Sequence, residues 1–305
     1  MITLPDRVAE ALPPGGAPLS LIDPDGTVGD AHGVLVMPHD EVLRELLRQM
    51  ISGRRFDAQA TALTKQGRLA VYPSSRGQEA CQVGAVLALR EQDWLFPTYR
   101  DTVAVITRSV APPEALSLLR GEWHCGYDPY QRNVAPQCTP LAKQTAAPAL
   151  AYKGVGYGVR SLLIDGNDAA VVYAAVSSAV AHAAAGHGPT LIEALTYRIE
   201  AHTNADDAAR YRDTAEVEAW LARDPLRRLE NYLRDRGLVD DADVARFGTE
   251  AEQLAADVRA AMNRDMTANP SDLFAHVYAE PTPALAAQRE FLLAELAGDR
   301  DRSLT

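Results

Sequence analysis

Apolar residues recur at i, i+3, i+4, i+7 and i+8 through Leu43, Leu46, Leu47, Met50 and Ile51, which predicts an amphipathic helix. Asp40, just before the first of them, is expected to cap it. A second helix is predicted from Gly77 to Arg90, where Ala80, Gly84 and Ala88 form a small-residue face that permits close approach, within this chain or to another. Pro112-Pro113 opens a third helix expected to run through Arg120 and stop at Gly121. From Gly158 the pattern changes to strand, turn, helix, turn, strand. Ser161 to Asp165 leads through Gly166-Asn167 into an alanine-rich helix over 169–185, and Gly186 to Pro189 returns the chain to an apolar run over 190–196. That order is a βαβ unit, right-handed by default, and it requires a parallel sheet. Two more amphipathic helices follow, marked by Leu226, Leu229, Tyr232 and Leu233, then by Leu254, Val258 and Met262.

The first 37 or so residues read as an arm, punctuated by Pro13-Pro14-Gly15-Gly16 and Asp23-Pro24-Asp25-Gly26. Residues 298–305 are expected to fray. The organisation expected is therefore an arm over 1–37, an α/β domain over 38–215 and a helical region over 216–305.

At 305 residues and 47% hydrophobic, the chain can bury a sizeable core. Its net charge of -11 argues against nucleic acid or an anionic membrane as partner. Cys81, Cys125 and Cys138 are odd in number and lack metal-type spacing, so a reduced, cytoplasmic setting is expected. The most membrane-like stretch, 169–185, is short and interrupted by Ser177, Ser178 and His182, which reads as a packed helix.

The densest chemistry lies in Tyr197 to Arg212, directly after the second predicted strand. Ligands in α/β proteins sit beyond the carboxyl ends of such strands. Arg198, Arg210 and Arg212 bracket His202, Asp206 and Asp207. The sequence leaves two readings, a solvated loop whose charges pair with one another or a polyanion site carrying a histidine acid or base.

This stretch, Y-R-x-x-x-H-[ST]-x-x-D-D-x-x-x-Y-R, resembles the histidine-bearing loop of the alpha subunit of thiamine-diphosphate-dependent 2-oxo acid dehydrogenases, E1 component, nearest to the branched-chain type. The resemblance extends from about Leu43 to about Pro283. It includes Phe96-Pro97-Thr98-Tyr99-Arg100-Asp101, Gly126-Tyr127-Asp128-Pro129, Asp165-Gly166-Asn167-Asp168 and Asp272-Leu273-Phe274, in order. It implies an α/β thiamine-diphosphate-binding fold with a mostly parallel sheet flanked by helices. It also implies that Tyr99, Arg100 and Arg198 bind the cofactor diphosphate and that His202 is the catalytic histidine. Cys138, Thr139, Pro140 and Leu141 resemble a run that touches the aminopyrimidine ring, which adds Thr139 and Leu141 to the cofactor-binding set. Asp206, Asp207, Tyr211 and Arg212 are expected to order the loop, with Thr203 a loop residue. Without that context, Arg100 could equally pair with Asp101 or Asp93 on the surface. The implied reaction is oxidative decarboxylation of a 2-oxo acid with acyl transfer to a lipoyl-bearing E2 subunit, as in branched-chain amino acid degradation. The implied assembly is an α2β2 heterotetramer with an E1 beta subunit.

One departure from the family is large. Pro140-Leu141-Ala142 runs straight into Lys143-Gln144-Thr145, and neither G-D-G, G-E-G nor N-N occurs anywhere in the chain. In the family that fingerprint supplies the magnesium ligands. The resemblance therefore implies a loss of roughly two βαβ units at the 142–143 seam, no metal ligands in this chain, and a sheet without its central strands. Two alternatives stay open: a degenerate, non-catalytic E1-alpha-like chain, and a pyruvate or acetoin substrate.

Overall fold

The computed structural model describes residues 17–31, 33–117, 119, 147–203, 206–264, 269–275 and 277–303. The first helix, α1 (Asp40–Lys65), is longer than the Leu43–Ile51 pattern alone required. His39, not Asp40, is its N-cap; Asp40 instead begins the helix, where its charge favours the positive end of the dipole. Next come α2 (Glu79–Leu87), α3 (Thr102–Thr107) and α4 (Pro112–Ser117). The expected stop of α4 at Gly121 lies outside the described residues. After α5 (Tyr152–Gly156), strand β1 (Arg160–Asp165), helix α6 (Ala169–Ala184) and strand β2 (Thr190–Leu195) form the anticipated unit. The two strands pair in parallel, Arg160 opposite Thr190 through Asp165 opposite Leu195. The remaining helices are α7 (Thr214–Leu221), α8 (Pro225–Asp235), α9 (Asp241–Met262), α10 (Asp272–Ala275) and α11 (Pro283–Ser303). The last of these is helical through Ser303 where fraying was expected.

One core joins the α1 stripe of Leu43, Leu46, Leu47 and Met50 to Leu162 and Ile164 of β1, Val171 of α6 and Leu233 of α8. A second lies under the carboxyl half of α1, where Phe56, Ala60 and Leu63 meet Val258 and Met262 of α9. The small-residue face of α2 serves packing within the chain. A Cβ at Gly84 would stand 3.0 Å from the Ala169 carbonyl and from Val172 Cβ, so glycine there lets α2 lie against α6.

Leu19 to Ile22 are part of the core, and the sheet extends to them. Leu19 bridges in parallel to Ile164, with Leu19 N donating to Leu163 O at 3.0 Å and Asp165 N to Leu19 O at 2.9 Å. Asp168 holds this segment down. One carboxylate oxygen caps α6 through Ala170 N, while the other accepts from Leu21 N at 2.6 Å and Ile22 N at 2.7 Å. Arg228, 1% exposed, closes the junction through Asp165 at 2.8 Å, Ser20 Oγ at 2.7 Å and the Ile22 carbonyl. Among the described residues, both strands lie beyond residue 143, and Leu19 is the only earlier residue bridged to them.

Candidate functional site

At the carboxyl end of β2 the chain leaves the sheet and turns across α2. Thr196 Oγ1 sits 2.9 Å from Gly77 O and 2.8 Å from Asn167 Oδ1, and Ile199 N donates to Arg76 O at 3.0 Å. Gly77 has φ +91, and a Cβ there would stand 2.5 Å from Tyr197 O. Only glycine lets the start of the loop cross at that height. The loop is then tied within itself. Asp206 accepts from His202 N at 2.8 Å and from the Tyr211 hydroxyl, and Asp207 caps a short 3-10 turn over Ala208–Arg210. Arg212 donates to Arg198 O at 2.5 Å and to Glu200 O at 3.1 Å. Tyr211 and then the His202 amide hold the Asp206 carboxyl below the usual aspartate range.

Tyr99 and Arg100 arrive from the turn before α3 and meet this loop. Arg100 Nη2 stands 3.0 Å from His202 Nδ1 and 3.1 Å from the His202 carbonyl, and the Tyr99 hydroxyl is 3.5 Å from Nε2. Guanidinium can only donate, so His202 Nδ1 accepts and the imidazole proton resides on Nε2. Partial burial, then the charges of Arg100 and Arg198, hold His202 below its ordinary 6.5, against a smaller opposing pull from Asp206. The ring is therefore neutral near pH 7, with an N–H to donate. Arg198 donates to Glu200 O at 2.5 Å and approaches the Tyr211 hydroxyl at 3.4 Å. Arg212 Nε is buried with no hydrogen-bond partner. Arg100 does not depend on Asp93, which Arg90 holds at 2.8 Å.

What fixes Arg100 was not anticipated from the sequence. Its Nη1 donates to Ser74 O at 2.8 Å, and Ser75 Oγ donates to its carbonyl at 2.6 Å. Both serines are held by Asp57, which is 4% exposed on α1. That carboxylate accepts from Ser74 Oγ at 2.7 Å, Ser75 N at 2.6 Å and the Tyr72 hydroxyl at 2.9 Å. Burial raises the Asp57 pKa, and the three donors work in the opposite direction. Asp57 thus stands behind Arg100 as Arg100 stands behind His202. The signal for it was a carboxylate seven residues after Met50, in register with the core-facing stripe of α1.

Thus Tyr99, Arg100 and His202 converge, and Arg198 joins them through the loop. Thr139, Leu141 and Cys138 lie outside the described residues. Cys81 lies beneath Gly166, its Sγ 3.1 Å from the carbonyl, and burial pushes its pKa up to about 12, which makes it a packing residue.

Comparison with known proteins gives the family of the chain. The dehydrogenase E1 component family matches residues 47–135 and 131–271. The chain belongs to that family. A 3-methyl-2-oxobutanoate dehydrogenase subunit alpha from Mycobacterium tuberculosis (strain H37Rv) is 34% identical, over 92% of this chain and 94% of its own. A pyruvate dehydrogenase E1 component subunit alpha from Staphylococcus aureus (strain N315) is 30% identical, over 73% of this chain and 78% of its own. The chain is thus an E1 alpha subunit of a family of oxidoreductases that depend on thiamine diphosphate and pair with a beta subunit. The mycobacterial alignment spans 346 positions, more than the 305 residues of this chain, so that relative has positions with no counterpart here.

Arg100, Arg198 and the buried, unpartnered Nε of Arg212 suit an anionic cofactor end. Among the described residues no group of three or more His, Cys, Asp or Glu side chains could hold a metal ion. No described helix is long and apolar enough to cross a membrane.

Proposed function

We propose that this chain is the alpha subunit of a branched-chain 2-oxo acid dehydrogenase, in which Tyr99, Arg100 and Arg198 hold the diphosphate of thiamine diphosphate and His202 is the catalytic residue. The observation that carries the reading is the contact of Arg100 with His202 Nδ1 at 3.0 Å, which joins the two motifs in one site. The cofactor, when bound, supplies the carbanion chemistry of decarboxylation. Arg100 and Arg198 offer charge-assisted donors to an anion. Arg100 also fixes the His202 tautomer and lowers its basicity, so Nε2–H is presented as a neutral donor toward a substrate or lipoyl-linked acyl oxygen. Asp206 and Tyr211 keep the loop folded around that proton. Thr139 and Leu141 are assigned to the aminopyrimidine ring by resemblance, the E1 beta subunit completes an α2β2 assembly, and a lipoyl-bearing E2 receives the acyl group.

The same reading includes a shortened segment at the 142–143 seam that removes the magnesium ligands. Three observations support it: the alignment longer than the chain, the family match divided at residues 131–135, and the absence of the G-D-G or G-E-G and N-N elements. These favour, as a second reading, a chain that binds its beta subunit without turning over.

The test compares two proteins co-expressed with the beta subunit and lipoyl E2: this chain, and this chain with the mycobacterial relative's intervening segment inserted between Ala142 and Lys143. The expected result is magnesium-dependent turnover of 3-methyl-2-oxobutanoate by the extended chain and little by the shorter one. His202→Ala in the extended chain should then reduce turnover by about 10²–10⁴-fold. An extended chain that folds with its partner but acts on no 2-oxo acid overturns the proposal. A preference for pyruvate overturns only the branched-chain assignment.

A further inference from the structure

Helices α1, α8 and α9, together with Arg76 and Glu200, line an open cavity of about 520 Å³. Ile51, Ala58, Leu226 and Ala251 give it apolar walls, and four cations line it: Arg54, Arg55, Lys65 and Arg76.

The three carboxylates of the lining are all engaged. Glu252 takes Arg55 at 2.6 Å, Glu200 takes Arg76 at 2.7 Å, and Asp57 is filled by Tyr72, Ser74 and Ser75. Arg54 pairs with Glu79, behind the lining, and with Asp224 at 3.0 Å. Two guanidinium nitrogens are nevertheless left over. Arg54 Nη2 and Arg76 Nε are buried and have no hydrogen-bond partner. Buried polar groups are nearly always satisfied, and unpaired donors on charged groups are among the most costly exceptions.

We propose that this cavity is a binding site for a small organic anion, with a phosphate or carboxylate head received by Arg54 and Arg76 and a short apolar body against the α1, α8 and α9 walls. Oxyanion acceptors are what both orphaned donors lack. The site is also mechanically joined to the histidine loop. Arg76 O accepts from Ile199 N, its side chain holds Glu200, and the Glu200 carbonyl in turn receives Arg198 and Arg212. An anion that draws the Arg76 guanidinium from Glu200 changes the footing of that loop.

The test uses the full chain at constant ionic strength, titrated by calorimetry with inorganic phosphate in one arm and butanoate in the other. Saturable one-to-one uptake of at least one of them is expected, and the arm that binds identifies the head group. Arg76→Gln, at a half-exposed side chain, should weaken it about tenfold, the loss of one charge-assisted hydrogen bond. Lys65→Ala should weaken it less, and Arg198→Gln should leave it unchanged, which separates this cavity from the cofactor site. Uptake lost in Arg198→Gln but kept in Arg76→Gln overturns the proposal, as does no saturable uptake of either anion by a chain shown to be folded by circular dichroism.

Discussion

Asp57→Ala should be among the most damaging single changes in this chain, although Asp57 makes no hydrogen bond to Arg100 or His202. The replacement removes the acceptor for Ser74 Oγ, Ser75 N and the Tyr72 hydroxyl. Tyr72 keeps a neighbour in Thr102 Oγ1 at 3.2 Å, but the Ser75 amide is left buried without an acceptor. Ser74 Oγ still accepts from Arg76 N at 3.2 Å, yet its own proton loses its destination. Two orphaned buried donors at about 1–3 kcal/mol each, offset in part by no longer burying a charge, give a loss of about 3 kcal/mol. In a chain of this size that lowers the melting temperature by about 5 °C. Asp57→Asn should cost about 1 kcal/mol, because its carbonyl can retain the two donors at Oδ1 while Ser74 Oγ turns to accept. Thermal unfolding by circular dichroism measures both. A second readout separates positioning from mere stability: as Ser74 and Ser75 loosen, Arg100 withdraws from His202, and the imidazole pKa, followed by NMR, should climb toward 6.5. An Asp57→Ala chain that melts within about 2 °C of the parent, or melts early with an unmoved His202 pKa, refutes the positioning role.

Three further outcomes follow from the same contacts. Gly77→Ala should displace the loop, since the added Cβ would stand 2.5 Å from Tyr197 O; faster amide hydrogen exchange over 196–203 is expected, and parental exchange rates would count against the fit. His202 is depressed in the folded state, so its contribution to stability is present above 6.5 and is lost as pH falls through the lower folded value; Arg198→Gln should raise that value, and a parental pKa at or above 6.5 contradicts the tautomer argument. Asp168→Ala removes the α6 cap together with the acceptor for Leu21 N and Ile22 N, a loss of about 3 kcal/mol; denaturant midpoints unchanged from the parent would show that residues 19–22 are not held as described.

Local pattern carried much of the fold. The 3.6-residue stripe through Leu43 and Met50 marks α1, and the apolar runs bounded by Gly166-Asn167 and Gly186–Pro189 mark β1 and β2, because burial on one face or both leaves a periodic trace. Leu19 to Ile22 leave no such trace. The segment is short and lies beside Asp23-Pro24-Asp25-Gly26, and what orders it is a carboxylate about 146 residues away. Helix ends were the least legible detail, as at Asp40, because capping is decided by one or two backbone angles. At the site, Tyr99, Arg100, Arg198 and His202 were legible through motif resemblance, and their convergence required the fold. Asp57 was visible only as a carboxylate in register with the core-facing stripe of α1, which does not announce whether it is paired, and with what.

The central claim, that the arginine and histidine cluster receives a diphosphate, is tested most directly by titrating thiamine diphosphate into this chain co-expressed with its beta subunit, with and without magnesium, in the parent and in Arg198→Gln. The account predicts binding weaker than about 1 μM, little changed by magnesium, and about tenfold weaker again in Arg198→Gln, whose guanidinium acts as a charge-assisted donor. A tight, magnesium-dependent isotherm that Arg198→Gln leaves untouched would contradict both the assignment of the diphosphate site and the loss of the metal ligands.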